Sequence, residues 1–248
     1  MSFKDHFSSV AAAYANYRPS YPAELFAWLA AQCAGHALAW DCGTGSGQAA
    51  QGLAPHFQAV IATDASAAQI AQASGPANVR FAVAPAEHSG LEPASVDLLV
   101  VAQAVHWFDL GAFYAEARRV LRPDGLVALL TYSAHSVNPE IDGPSGVFYR
   151  HTVGAYWPPE RKLVENAYRD LPFPFTELQT PAFTLTAEWD LQQFLGYQAT
   201  WSATKRYQEA TGNDPMPALA VALAPAWGPP EQCRTVRWPL ALRLGRLT

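Results

Sequence analysis

Cysteine, charge, basic surplus and long apolar runs are all in short supply in this sequence. The three cysteines, Cys33, Cys42 and Cys233, are odd in number and widely spaced, which suggests neither a disulfide framework nor a metal site. Only 15% of the residues are charged, and 16 Lys and Arg stand against 21 Asp and Glu, a formal net charge of −5. A nucleic-acid partner would need a basic patch or stripe, and that balance speaks against one. No apolar run approaches the ~18 residues of a membrane span. The run Ala218 to Ala224, as long as any, is closed by Pro217 and Pro225. The first residues carry Lys4, Asp5 and His6 before a short apolar stretch, which does not read as a secretory signal. The expectation is a soluble, cytoplasmic protein with no membrane and no nucleic-acid partner.

What is abundant is core-forming material. Half of the 248 residues are hydrophobic, 12% are aromatic and eight are Trp. That suits one large α/β domain, or a core carrying an inserted cap. The chain is organised around one turn, Asp41-Cys42-Gly43-Thr44-Gly45-Ser46-Gly47. It follows the apolar run Leu38-Ala39-Trp40 and precedes Gln48 to Leu53, which reads as the start of a helix. Glycine lets a polar ligand sit against the main chain, and a strand-to-helix turn leaves N–H groups pointing at that ligand. The dinucleotide fingerprint spaces its glycines as G-x-G-x-x-G, whereas here they fall as G-x-G-x-G with an acid directly before them. A pyrophosphate gains nothing from a carboxylate at that place, but an amino-acid ammonium does. A second acid, Asp64, ends the apolar strand Val60-Ile61-Ala62-Thr63, suitably placed for a ribose diol.

On these residues the sequence resembles the S-adenosylmethionine-dependent methyltransferases of Rossmann-like fold. The resemblance is well carried from Phe3 to Leu130 and loosely in the C-terminal third. It implies S-adenosylmethionine as cofactor and S-adenosylhomocysteine as product. The cofactor site would then include Asp41, Gly43, Thr44, Gly45 and Asp64. Tyr14, Tyr17, Arg18 and Pro19 match the family's Tyr-x-x-Tyr-Arg-Pro stretch, implying a lid whose Arg18 holds a carboxylate; packing over the sheet is the other reading. After the third strand, Ala86 would read the adenine edge by its N–H. Pro85 stands where the family has an acid, so Glu87 is the candidate substitute, the other readings being a loop acid tying nearby backbone and an adenine amine read by water or not at all.

Ala102-Gln103-Ala104-Val105-His106-Trp107-Phe108-Asp109 looks like the small-molecule subgroup that includes the trans-aconitate methyltransferases. The resemblance places the Gln103 backbone beside the cofactor's methionine part, and makes Trp107 a candidate either to pack on the cofactor or to line the methyl path. His106 is read either as a general base or as a histidine that orients this loop. Asp109 is a helix cap. The stretch Trp201 to Tyr207 also resembles the subgroup; Ser202, Lys205 and Arg206 would there meet an acidic substrate, or form an exposed helix face.

Elsewhere the pattern is alternating strands and helices. Helices are expected after Pro22, from Ala67 to Ala73 behind a Ser66 cap, and from Asp109 to about Leu121. Strands are expected at Asn78 to Val83, at Val96 to Val101 and, after the turn Pro123-Asp124-Gly125, at Leu126 to Thr131. The expected fold is α/β, a doubly wound, mostly parallel seven-stranded sheet with a helical, aromatic-rich cap. Residues 1–248 would form a single domain, with residues 1–132 as the cofactor-binding core and lid, and residues 133–181 and 187–232 as cap insertions. Within these insertions, Pro159 to Arg169 and Ala187 to Tyr207 are expected to be helical, and Ala182 to Thr186 and Arg234 to Leu244 to be an antiparallel edge pair. The function implied is methyl transfer to a small-molecule acceptor, with a carboxylic acid the acceptor that the subgroup suggests. The alternative is a non-catalytic S-adenosylmethionine-binding protein, which would keep the same residues. No metal is called for, because no clustered ligands suggest one.

Overall fold

The computed structural model describes residues 17–247. In chain order the first half runs α1 (Ala23–Ala31), β1 (Leu38–Cys42), α2 (Gln48–Leu53), β2 (Ala59–Asp64), α3 (Ala67–Gln72), β3 (Val79–Val83), β4 (Val96–Ala102), α4 (Leu110–Val120) and β5 (Leu121–Tyr132). Two caps are those the sequence announces. Ser66 accepts from the Gln69 N–H, and Asp109 Oδ1 accepts from Gly111 and Ala112.

The sheet order is β3-β2-β1-β4-β5, continued by the last strand, and these five run parallel. Alternate residues of β4 go to opposite faces: Leu98 and Val100 join one buried cluster, Leu99 and Val101 the other. From Leu98 to Ala102 the strand is apolar on both sides because helices cover both faces. One face carries α1 and α2, with Leu25, Phe26 and Leu53; the other carries α4, with Phe113, Ala117 and Val120. The chain reverses its winding between β1 and β4, and a crevice opens there at the carboxyl ends of the strands.

After β5 the order is α5 (Pro139–Val147), α6 (Arg161–Glu165), β6 (Thr176–Leu178), β7 (Phe183–Trp189), α7 (Leu191–Ala199), α8 (Ser202–Thr211), α9 (Met216–Trp227) and β8 (Arg234–Arg246). β8 lies antiparallel beside β5 on one side and β6 and β7 on the other. The seventh strand is therefore present in two pieces. Leu178 faces Leu244 and Phe183 faces Leu240, so five steps along one strand match four along its partner. The extra residue and Pro181, which has no N–H to donate, break the ladder between them.

Three expected boundaries move. The helix expected from Pro159 to Arg169 shrinks to α6, because Ala167 and Tyr168 take φ of 55 and 58°. The helix expected from Ala187 begins only after β7 reaches Trp189, and it is split into α7 and α8 at Thr200 and Trp201. The apolar run around Ala218 to Ala224 is helical, forming most of α9, with Pro217 in its first turn and Pro225 near its end. The cap's Phe194, Trp201 and Trp227 are buried in the same cluster as α1 and α2, so the cap shares a core with one face of the sheet. Among the described residues, no helix is long and apolar enough to cross a membrane.

Candidate functional site

The glycine turn sits where β1 meets α2. Gly43 and Thr44 donate their N–H groups to the Thr63 carbonyl of β2 at 2.8 and 2.9 Å, which pins the loop to the neighbouring strand. Gly45 donates to Asp64 Oδ2 at 2.9 Å. Gly45 has φ of 55°, and a Cβ built on it would find only Gln69 Oε1, 3.9 Å away. Its open side faces a cleft. Gly47 is different: at φ of 92° its Cβ would come within 2.8 Å of the Phe81 ring, so glycine there serves packing.

Asp41 is fully buried beneath this loop. Its Oδ2 accepts from Thr44 Oγ1 at 2.5 Å and from the Ala50 N–H at 2.9 Å. Its Oδ1 has no hydrogen-bond partner among the described residues. Burial pushes its carboxyl up to about 7, against the lowering effect of Thr44 and Ala50. A buried acid with one oxygen unsatisfied is a group prepared for a cationic donor. Asp64 stands at the end of β2 with Oδ1 on the Ser66 N–H at 2.9 Å and Oδ2 on Gly45. A carboxylate at this place is an acceptor of the kind a hydroxyl donor would need.

The cleft has a volume of about 1320 Å³. It brings together Arg18, Gly43, Thr44, Gly45, Asp64, Ala86, Glu87, Gln103, His106 and Trp107 from the sequence expectation. Asp41 lies under the cleft, outside its lining. Tyr14 lies outside the described residues. Tyr17 packs on Gly196 of α7, where an added Cβ would sit 2.6 Å from its ring, and Arg18 lies over the Tyr197 ring at 5.5 Å. The described end of the expected lid, Tyr17 and Arg18, is thereby docked on the cap.

Glu87 accepts from the Asp109 N–H at 2.9 Å, tying the loop after β3 to the start of α4, while also lining the cleft. Gln103 has φ of 58° and is clamped at both ends of its amide: Nε2 donates to the Tyr132 carbonyl at 2.7 Å and Oε1 accepts from Thr131 at 2.9 Å. That clamp fixes the loop leading to His106 and Trp107, whose rings lie 4.8 Å apart. His106 Nδ1 is 2.7 Å from the Tyr168 hydroxyl. Burial, with a smaller effect of Arg161, pushes the His106 ring down to about 3, so it is neutral near pH 7. Of the three cap residues considered for an acidic substrate, Arg206 lines the cleft; Ser202 and Lys205 do not.

Tyr21, one of the aromatics of the expected lid segment, also lines the cleft, whereas Gln69, Tyr132 and Glu160 in the lining, and the Tyr168 partner of His106, were not expected. Tyr132 was findable as the residue that ends β5 at the same level as Gln103; the others carry no local signal.

Comparison with known proteins finds chains named as methyltransferases. A family profile described as a methyltransferase domain matches residues 40–129, from β1 through most of β5. A protein of Dictyostelium discoideum, provisionally named a methyltransferase, is 34% identical over 229 residues, covering 91% of this chain and 87% of that one. A protein of Saccharomyces cerevisiae, provisionally an S-adenosylmethionine-dependent methyltransferase, is 33% identical over 150 residues, covering 56% and 50%. A solved structure from Anaeromyxobacter dehalogenans, provisionally a type II methyltransferase, shares 49% identity with a TM-score of 0.88, covering 93% of this chain and 98% of that one.

Proposed function

Because this chain belongs to the S-adenosylmethionine-dependent methyltransferases of Rossmann-like fold, we propose that it methylates a small-molecule acceptor and that the accepting group is a carboxylate. The residues present fit the cofactor. The open side of Gly45 is a cradle for a ligand, Asp64 presents a carboxylate in the cleft beside it, and Asp41 has a buried oxygen with no hydrogen-bond partner among the described residues. Asp41, Gly43, Thr44, Gly45, Asp64, Ala86, Glu87 and Gln103 would hold it, with Arg18 closing over it. When bound, the cofactor supplies a methyl on a sulfonium, whose C–S bond breaks as the acceptor's new bond forms, leaving a thioether. The protein's own part is to align the acceptor and exclude water.

A single observation carries the acidic acceptor. Arg206 of the cap lines the same cleft as the glycine turn, and it makes no hydrogen bond or ion pair among the described residues. A half-buried guanidinium without a partner is a fork suited to a carboxylate. The cleft exceeds the ~300–1000 Å³ typical of one bound ligand, which leaves room for cofactor and acceptor together. The net charge of −5 favours a small acceptor over a nucleic acid.

The test is S-adenosylhomocysteine release from the purified protein with S-adenosylmethionine and a panel of small carboxylic acids, phenols and amines. Turnover confined to acids, and lost in Arg206→Met, is the expected result. Turnover with phenols or amines only would refute the carboxylate.

A further inference from the structure

His106 and Tyr168 are 62 residues apart in sequence, and their side chains meet at 2.7 Å. The placement of Tyr168 is costly and heavily supported. It is fully buried, and it follows Ala167 in the left-handed region, which bulky side chains rarely adopt. Arg243 of β8 holds that turn: its Nη1 donates to the carbonyls of Tyr168 and Leu171 at 2.9 and 3.0 Å. The guanidinium is itself fixed by Glu177 of β6 at 2.9 and 3.0 Å and lies over the Phe173 ring at 4.4 Å. A tyrosine hydroxyl set this firmly against one ring nitrogen decides which tautomer the imidazole adopts.

A phenol is a good donor and a weak acceptor, whereas an imidazole lone pair is a good acceptor. The favoured arrangement puts the proton on Tyr168 Oη and the lone pair on His106 Nδ1. The neutral ring then carries its only proton on Nε2. Nε2 makes no hydrogen bond to a described residue, it is not among the buried unpaired atoms, and His106 lines the cleft. We propose that Tyr168 is a positioning residue that holds His106 as its Nε2–H tautomer, so that His106 offers the acceptor a neutral hydrogen-bond donor and not a base.

This inference rests on the carboxylate reading for its purpose, though not for its test. Methylating a carboxylate oxygen forms an O–C bond and releases no proton, so a base at this position has nothing to remove. A donor aimed at the acceptor is useful there, because it orients the carboxylate oxygen that is not methylated. His106 and Arg206 would then present donors from the sheet side and the cap side of one cleft.

The experiment is long-range 1H–15N correlation spectroscopy on the full chain labelled at histidine nitrogens, with no acceptor added. The His106 signals are assigned by their loss in His106→Gln. The expected result is a protonated Nε2 and an unprotonated Nδ1 in the unsubstituted protein. In Tyr168→Phe the two nitrogens move toward averaged shifts, while S-adenosylhomocysteine binds within about twofold of the original affinity as a check on folding. A proton on Nδ1 in the unsubstituted protein overturns the proposal, whatever the variant does. An unchanged Nε2–H pattern in folded Tyr168→Phe overturns the part given to Tyr168. Because no acceptor is used, a protein that shows the Nε2–H form but methylates no acid refutes the substrate reading alone.

Discussion

Replacing Gly45 separates what the loop needs for folding from what it needs for binding. At φ of 55° an Ala side chain costs about 1–2 kcal/mol through its crowded left-handed backbone. Nothing is added by collision, since the nearest protein atom to the new Cβ is 3.9 Å away. For a chain of this size that cost lowers the melting temperature by about 2–8 °C. Asn tolerates the left-handed region better, so Gly45→Asn should melt above Gly45→Ala. Binding should follow the reverse order. If the cofactor lies against this backbone, Ala places a methyl where the ligand must be and weakens S-adenosylhomocysteine at least about tenfold, or 1.4 kcal/mol. The larger Asn side chain should weaken it further. Gly47→Ala is the contrasting control: its Cβ would press on the Phe81 ring at 2.8 and 2.9 Å, so its damage should appear first in stability. Thermal unfolding of the free protein and calorimetric titration with S-adenosylhomocysteine measure the two properties separately. If Gly45→Asn binds as tightly as the original protein, the ligand does not lie over Gly45 and the cofactor reading of the turn is wrong.

Three further perturbations have defined outcomes. Asp64→Ala removes the acceptor of the Gly45 and Ser66 N–H groups and of any ribose hydroxyl, and should weaken S-adenosylhomocysteine by about 10–100-fold in the same titration; unchanged affinity would sink the ribose assignment. His106 is neutral above about pH 4, since burial and Arg161 push it down to about 3, so the kcat/KM profile should show no limb near its ordinary value of 6.5; a limb there that vanishes in His106→Gln would restore the base. Glu116 is held down to about 2 by Arg119 and Ser89, below its ordinary 4.5. Its stabilisation is therefore present above pH 4.5 and lost as pH falls toward 2. Glu116→Gln should cost about 1–3 kcal/mol in denaturant unfolding near pH 7, with the gap to the original protein closing in acid.

The parts of this fold that could be read from the sequence are those specified by neighbouring residues. The glycine turn, the acids ending β1 and β2, the caps Ser66 and Asp109 and the apolar β4 all declare themselves within a few positions. What stayed hidden depends on partners far along the chain. Thr176-Glu177-Leu178 is too short and polar to look like a strand, and becomes one only because β8 extends to Arg246. The end of α6 is set by a left-handed turn that Arg243 secures from a strand near the other end of the chain. Ala187 to Trp189 continue β7 because they pair with Arg234 to Val236, which overrides any local tendency. The cleft follows the same division. Its floor, Gly43 to Gly45 with Asp64, was legible, whereas Tyr168 reaches His106 only through that tertiary turn.

The break at Pro181 also bears on how the molecule behaves among copies of itself. β6 and β7 form the outer rim of the sheet, where unpaired N–H and C=O groups could template a strand from another chain. An incoming strand would find three residues of ladder, then a bulge and a missing donor, before pairing could resume. The exposed side chains it would meet beyond the break, Thr184, Thr186 and Glu188, are polar and offer no apolar stripe to bury. The discontinuity that divides the seventh strand is thereby also a guard against edge-to-edge aggregation.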